Sequence, residues 1–155
     1  MKKVLKIIAI ILAVAFIVIQ FIRPDFTNPP INQAETLGAA TQVPENVQAI
    51  LSRSCADCHT NNTKYPWYSY IQPSAWFLAQ HIEEGRGQLN MSVWKTLTPA
   101  RQRRKLGEIC EQVQSKEMPL PSYLWIHRDA KMSDADIKTL CDWTEAEQAK
   151  IVDTK

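Results

Sequence analysis

No stretch of this 155-residue sequence alternates polar and apolar residues long enough to make a convincing strand, which sets aside sheet architectures and leaves helices. Basic arms and stripes are missing too. The one cluster, Arg101-Gln-Arg-Arg-Lys105, is short and lies inside a helical pattern, where it reads as a solvated helix face. The formal net charge of +2 overstates even this: without Lys2, Lys3 and Lys6, 15 basic residues face 16 acidic ones from Arg23 onward. A nucleic-acid partner is therefore not expected. No acid/base pair stands out either, so neither a catalytic residue nor a small-molecule substrate is expected. Leu and Val are sparse beyond residue 44, against five Trp and four Tyr in the chain, a composition that gives a small core which a large planar ligand would complete.

What is present begins with an apolar run. Val4 to Ile22 reads VLKIIAIILAVAFIVIQFI, 19 residues interrupted only by Lys6 and Gln20. That is close to the roughly 20 a helix needs to cross a bilayer. Lys2, Lys3 and Lys6 place the N-terminus in the cytoplasm by the positive-inside tendency. The expectation is a single-pass protein of the bacterial cytoplasmic membrane, with its domain on the outer, periplasmic face. No small-x-small cleavage site follows the run, and Gly38-Ala39-Ala40 lies too far downstream, which favours an uncleaved anchor over a cleaved signal. The division expected is an anchor over 1–23, a flexible linker with Pro24, Pro29, Pro30 and Gly38 over 24–43, and one domain over 44–155.

The domain reads as all-α, with four or five helices joined by rather long loops. Val47, Ile50 and Leu51 share a face after Pro44, and Asn61 to Pro66 is loop chemistry. Pro73-Ser74 starts a segment carrying Trp76, Phe77, Ala79, Gln80 and Ile82, stopped by Gly85 and Gly87. Ser92 is a candidate cap for a short turn through Leu97. Thr98-Pro99 is a strong helix start, opening a stripe of Leu106, Ile109, Cys110 and Val113 that ends near Lys116. Ser133 to Asp136 resembles a capping box opening a last helix with Ile137, Leu140 and Cys141 inward.

The chemistry sits in Cys55-Ala-Asp-Cys58-His59. A zinc site needs a second close pair of ligands, and Cys110 and Cys141 are single and far apart, with no His-x3-5-His following. A thioredoxin-type dithiol needs a preceding strand, and none precedes Ser52. A disulfide between Cys55 and Cys58 is strained at that spacing and leaves His59 unexplained. Covalent haem attachment uses every residue: both thiols add to the vinyl groups and His59 stands beneath the iron as proximal ligand. Candidates for a sixth ligand are Met91, Met118, Met132, His81 and His127; Met118, presented by the Pro119-stiffened loop in SKEMPLPSY, is the leading one, thioether ligation raising the reduction potential. Cys110 and Cys141 lie on the inward stripes of two helices, as a disulfide or as two buried thiols.

Cys55-x-x-Cys58-His59, the Met118-Pro119 loop and the capped last helix resemble small c-type cytochromes. The segments CADCHTNNTKYPWYSYIQPSAWFLAQHIEEGRGQLNMSVW and EMPLPSYLWIHRDAKMSDADIKTLCDW are similar, more specifically, to bacterial membrane-anchored haem-binding domain proteins over about residues 43 to 146. Cys-His-x-Asn, Pro-Trp-Tyr-Ser, His-x-x-x-Gly-Arg, Leu-Asn-x-Ser-x-Trp and Met-Pro-x-x-x-Tyr occur together and in order. Met91 stands where that family more often has an aromatic. The resemblance implies haem c on Cys55, Cys58 and His59 in a cytochrome-c-like helical domain. The expected function is a membrane-tethered monohaem cytochrome passing single electrons between redox partner proteins. The alternative is a haem peroxidase or gas sensor with an open sixth site, in which His81 and Arg86 line the pocket.

Overall fold

The computed structural model describes residues 1–151. The described residues are all-helical, without a strand: α1 (Lys2–Ile19), α2 (Leu37–Ala40), α3 (Glu45–Ser54), α4 (Ala56–His59), α5 (Ser74–Gln88), α6 (Pro99–Gln114), α7 (Pro121–Leu124) and α8 (Asp134–Lys150), with 3-10 turns between. The starts follow local chemistry. The Thr98 hydroxyl accepts from the Arg101 N–H with Pro99 opening α6, and Ser133 and Asp136 form both halves of a capping box at α8. Such caps each contribute about 1 kcal/mol. The short turn Met91–Thr96 is capped by Asn90 rather than Ser92; the Ser92 hydroxyl is buried and accepts from the Asn61 N–H at 2.9 Å.

The core lies where α3, α6 and α8 converge. Val47, Ile50 and Leu51 meet Leu106, Ile109, Val113, Leu140 and Trp143, with Trp94 fully enclosed beside them. A disulfide joins Cys110 to Cys141 across α6 and α8, Cα atoms 4.9 Å apart, which settles the pairing that the sequence leaves open. Residues 24–43 also touch the domain: Leu37 is buried in the core, the Gln42 carbonyl accepts from Trp143 Nε1 at 3.0 Å, and Asn28 exchanges hydrogen bonds with Thr63.

Two expectations are corrected here. Among the described residues no helix is long and apolar enough to cross a membrane, which removes both the transmembrane anchor and the single-pass placement in the cytoplasmic membrane. The reason lies at both ends of the run. Lys2, Lys3 and Lys6 fall within α1 itself, and the uncharged part, Ile7 to Ile19, spans about 20 Å at 1.5 Å per residue against a hydrocarbon core of about 30 Å. Helix α1 then stops at Gln20, whose side-chain oxygen accepts from the Gln72 N–H at 2.8 Å, while the Ile22 carbonyl accepts from Gln72 Nε2 and Trp76 Nε1. The last residues of the apolar run thus leave the helix to bind the domain. No residue of α1 is buried.

The second concerns α5. It runs through both glycines to Gln88, and its buried face is Ala75, Leu78, Ile82 and Gly85; Trp76 and Phe77 are exposed at its flank.

Removing the disulfide by a Cys110→Ala/Cys141→Ala double substitution is expected to cost about 2–4 kcal/mol, because the bridge closes a long loop in the unfolded chain. Denaturant unfolding of the two forms measures it; equal stability would show that the bridge adds nothing to the α6/α8 packing.

Candidate functional site

The turn α4 carries Cys58 and His59, with Cys55 immediately before it, and lies against α5. That approach depends on Gly85: a Cβ there would stand 2.9 Å from the Cys58 carbonyl oxygen and 3.2 Å from Cys58 Cβ. Because the helices come so close, His59 Nδ1 reaches the carbonyl oxygens of Gly85 at 3.0 Å and Leu89 at 2.9 Å. Both partners are acceptors only, so Nδ1 carries the proton and donates, and Nε2 keeps its lone pair. Burial holds the His59 imidazolium form down, more than the two carbonyls favour it, so the ring is neutral near pH 7.

A cavity of about 600 Å³ opens beside this turn, within the 300–1,000 Å³ range of cofactor sites. Cys55, Cys58, His59 and Met118 all line it, so Met118 joins the three motif residues from a distant part of the sequence. Met91, Met132 and His81 line it as well. His127 does not: its Nε2 is paired with the Tyr68 hydroxyl at 2.8 Å and its ring stacks on Tyr123 at 4.1 Å. His81 donates from Nδ1 to the Phe77 carbonyl at 2.7 Å.

Met118 reaches the cavity from the segment after α6. The chain reverses at Lys116, whose φ of 61° is left-handed, and the Met118 N–H donates to the Gln112 carbonyl at 3.1 Å. On the opposite flank Arg86 turns away from the cavity. Its guanidinium donates to the Thr60 carbonyl, to Thr63 Oγ1 and to Asn28 Oδ1, binding the loop after His59 to α5 and to the segment before α2. It is a clamp rather than a pocket residue. Buried Asn61 continues that clamp, accepting from Asn90 Nδ2 at 2.7 Å and donating to the Pro30 carbonyl.

The thiols argue against two other uses of the pair. Burial pushes Cys55 up to about 12 and Cys58 up to about 11, the reverse of the depressed pKa that a dithiol redox catalyst needs. Among the described residues no three His, Cys, Asp or Glu side chains are grouped to hold a metal ion, as a structural zinc site requires. A neutral imidazole with its second nitrogen free, two thiols three residues apart in one turn and a thioether on the cavity wall do suit a porphyrin and its iron.

Sequence reasoning recognised the His-x-x-x-Gly-Arg element but read Gly85 as a helix stop and Arg86 as a pocket residue. The signal available was the pairing of that glycine with a motif whose backbone must come close. Tyr123 and Asp57, joined at 2.9 Å on the cavity wall, went unnoticed.

A family model described as a haem-binding domain matches residues 14–146. No curated protein and no solved structure matches the chain.

Gly85→Ala is expected to destabilise the domain by about 1–3 kcal/mol, since its new methyl meets backbone. Gly87→Ala, with nothing within 4 Å of the added carbon, is expected to be neutral or stabilising by up to about 1 kcal/mol. Denaturant melts of the two variants separate close approach from helix propensity; the same sign in both would refute the steric account.

Proposed function

The chain belongs to the haem-binding domain family, and on that premise we propose that it is a monohaem c-type cytochrome, cytochrome-c-like in its helical site, passing single electrons between redox partner proteins. Haem binding itself follows from the family; covalent attachment, the ligand pair and the electron-carrier role are the reading advanced here. When bound, haem supplies a one-electron iron couple.

The observation that carries this reading is the orientation of His59. Two backbone carbonyls hold Nδ1–H, which fixes the ring's tautomer and direction and leaves Nε2 as the donor on a wall shared with Cys55 and Cys58. Cys55 and Cys58 would carry the thioethers, His59 the proximal bond and Met118 the sixth. Met118 is partly buried and packed against the core, so its sulfur is delivered by a fixed segment rather than a loose loop.

The surroundings favour a carrier over the peroxidase alternative. A peroxidase-type acid and charge stabiliser needs a cation aimed into the cavity, and the guanidinium of Arg86 is spent on Thr60, Thr63 and Asn28 outside it. Lys105, which does line the cavity, is paired with Glu108 at 2.5 Å.

Production in cells competent for c-type haem attachment tests the proposal. The parent chain is expected to keep its haem after acid denaturation, and Cys110→Ala to keep it too. Cys55→Ala/Cys58→Ala is expected to release it entirely. Equal retention in both variants would end the covalent reading, and a high-spin ferric spectrum of the parent would turn the assignment toward a five-coordinate sensor or peroxidase.

A further inference from the structure

Met118 and the attachment motif come from distant parts of the sequence, and one side-chain hydrogen bond joins their neighbourhoods directly. Tyr123 lies five positions after Met118, on α7, and its hydroxyl donates to Asp57 Oδ2 at 2.9 Å. Asp57 is the residue just before Cys58, inside the Cys-x-x-Cys turn, and its other oxygen accepts from the Lys64 N–H at 3.3 Å.

The tyrosine is held for this role. Its ring stacks on His127 with centroids 4.1 Å apart and planes 8° apart, and His127 is fixed in turn by the Tyr68 hydroxyl at 2.8 Å. The backbone of α7 adds its own restraint, His127 N–H donating to the Tyr123 carbonyl at 3.0 Å. Burial and the Asp57 carboxylate both keep the phenol protonated, so the donor persists well above neutral pH. On the other side of Met118, its own N–H is tied to Gln112. The segment carrying the thioether is therefore fastened at two points, to α6 before the sulfur and to the attachment turn after it.

We infer that Tyr123 is a positioning residue for the sixth ligand, its hydroxyl strapping the Met118 segment to the Cys-x-x-Cys turn through Asp57. The inference rests on the proposed reading of Met118 as that ligand. A hydrogen bond to a charged group is worth more than a neutral one. Its loss should loosen the loop without touching the thioethers or His59.

The test uses the full-length holoprotein and the long-wavelength sulfur-to-iron band of the ferric visible spectrum, titrated with imidazole as a competitor for the sixth site. Tyr123→Phe is expected to keep its full complement of haem and its low-spin spectrum, yet to lose the band at about tenfold to a hundredfold lower imidazole than the parent. Asp57→Asn, which keeps an acceptor but removes the charge, should fall between. Tyr65→Phe, whose hydroxyl donates to Asn28 at 3.2 Å away from the cavity, should titrate like the parent. A parent without the band, or Met118→Ala that retains it, would overturn the ligand assignment itself. Band loss in Met118→Ala with parent-like titration of both Tyr123→Phe and Asp57→Asn would overturn the strap alone. Should Tyr123→Phe fail to fold, Asp57→Asn decides: a parent-like midpoint overturns the inference and an earlier one upholds it.

Discussion

The fold around the cavity depends on one shared proton, the one His59 Nδ1 gives to the carbonyls of Gly85 and Leu89. Those carbonyls belong to the end of α5, where the negative end of the helix dipole lies; Gly85 also accepts from the Leu89 N–H at 2.9 Å, while Leu89 stands past the last turn. A histidine donating there satisfies the helix end and is itself oriented by it. The bond forms only because α4 and α5 touch backbone to backbone at Cys58 and Gly85, a contact no residue with a Cβ permits without displacement. The Arg86 clamp reinforces the same contact, one residue further along the helix, by pulling the loop after His59 onto α5.

Legibility in the sequence followed the range of the signal. Cys55, Cys58 and His59 stand out because they form a local motif within five residues, and the caps at Thr98 and Ser133 because capping acts within one turn. The inward stripe of α6 was equally readable, Leu106, Ile109 and Val113 all being buried. Helix α5 misled because two local rules were overridden by its neighbours. Glycines that end a helix by propensity are here interior, since a close helix contact uses one of them. The bulky Trp76 and Phe77 lie at its flank, while Ala75, Leu78, Ile82 and Gly85 form the buried face, Gly85 meeting α4 backbone to backbone. The direction of Arg86 was out of reach, as its partners Asn28, Thr60 and Thr63 lie in two other segments of the chain.

The N-terminal residues show contacts that composition alone does not record. Val4 to Ile22 is mostly apolar, but its composition does not record that Gln20 and Ile22 are hydrogen-bonded to Gln72 and Trp76. Nor does a proline-rich composition show that Leu37 enters the core or that Trp143 donates to Gln42. The family match begins at residue 14 rather than near 43, so it takes in the segment before α3 as well.

The charges around the cavity bear on what the site can do. Asp57 is engaged by Tyr123, Lys105 by Glu108 and Glu84 by Gln80 Nε2 at 2.8 Å, while the Arg86 side chain points elsewhere. The other groups on the cavity wall include two thiols that burial keeps protonated, the His59 imidazole that burial keeps uncharged, thioethers, and His81. Acid–base catalysis needs a titratable group poised near neutrality and free to move its proton. For His59 the Nδ1 proton is committed to two carbonyls, which fixes the tautomer and leaves Nε2 as the nitrogen with a free lone pair.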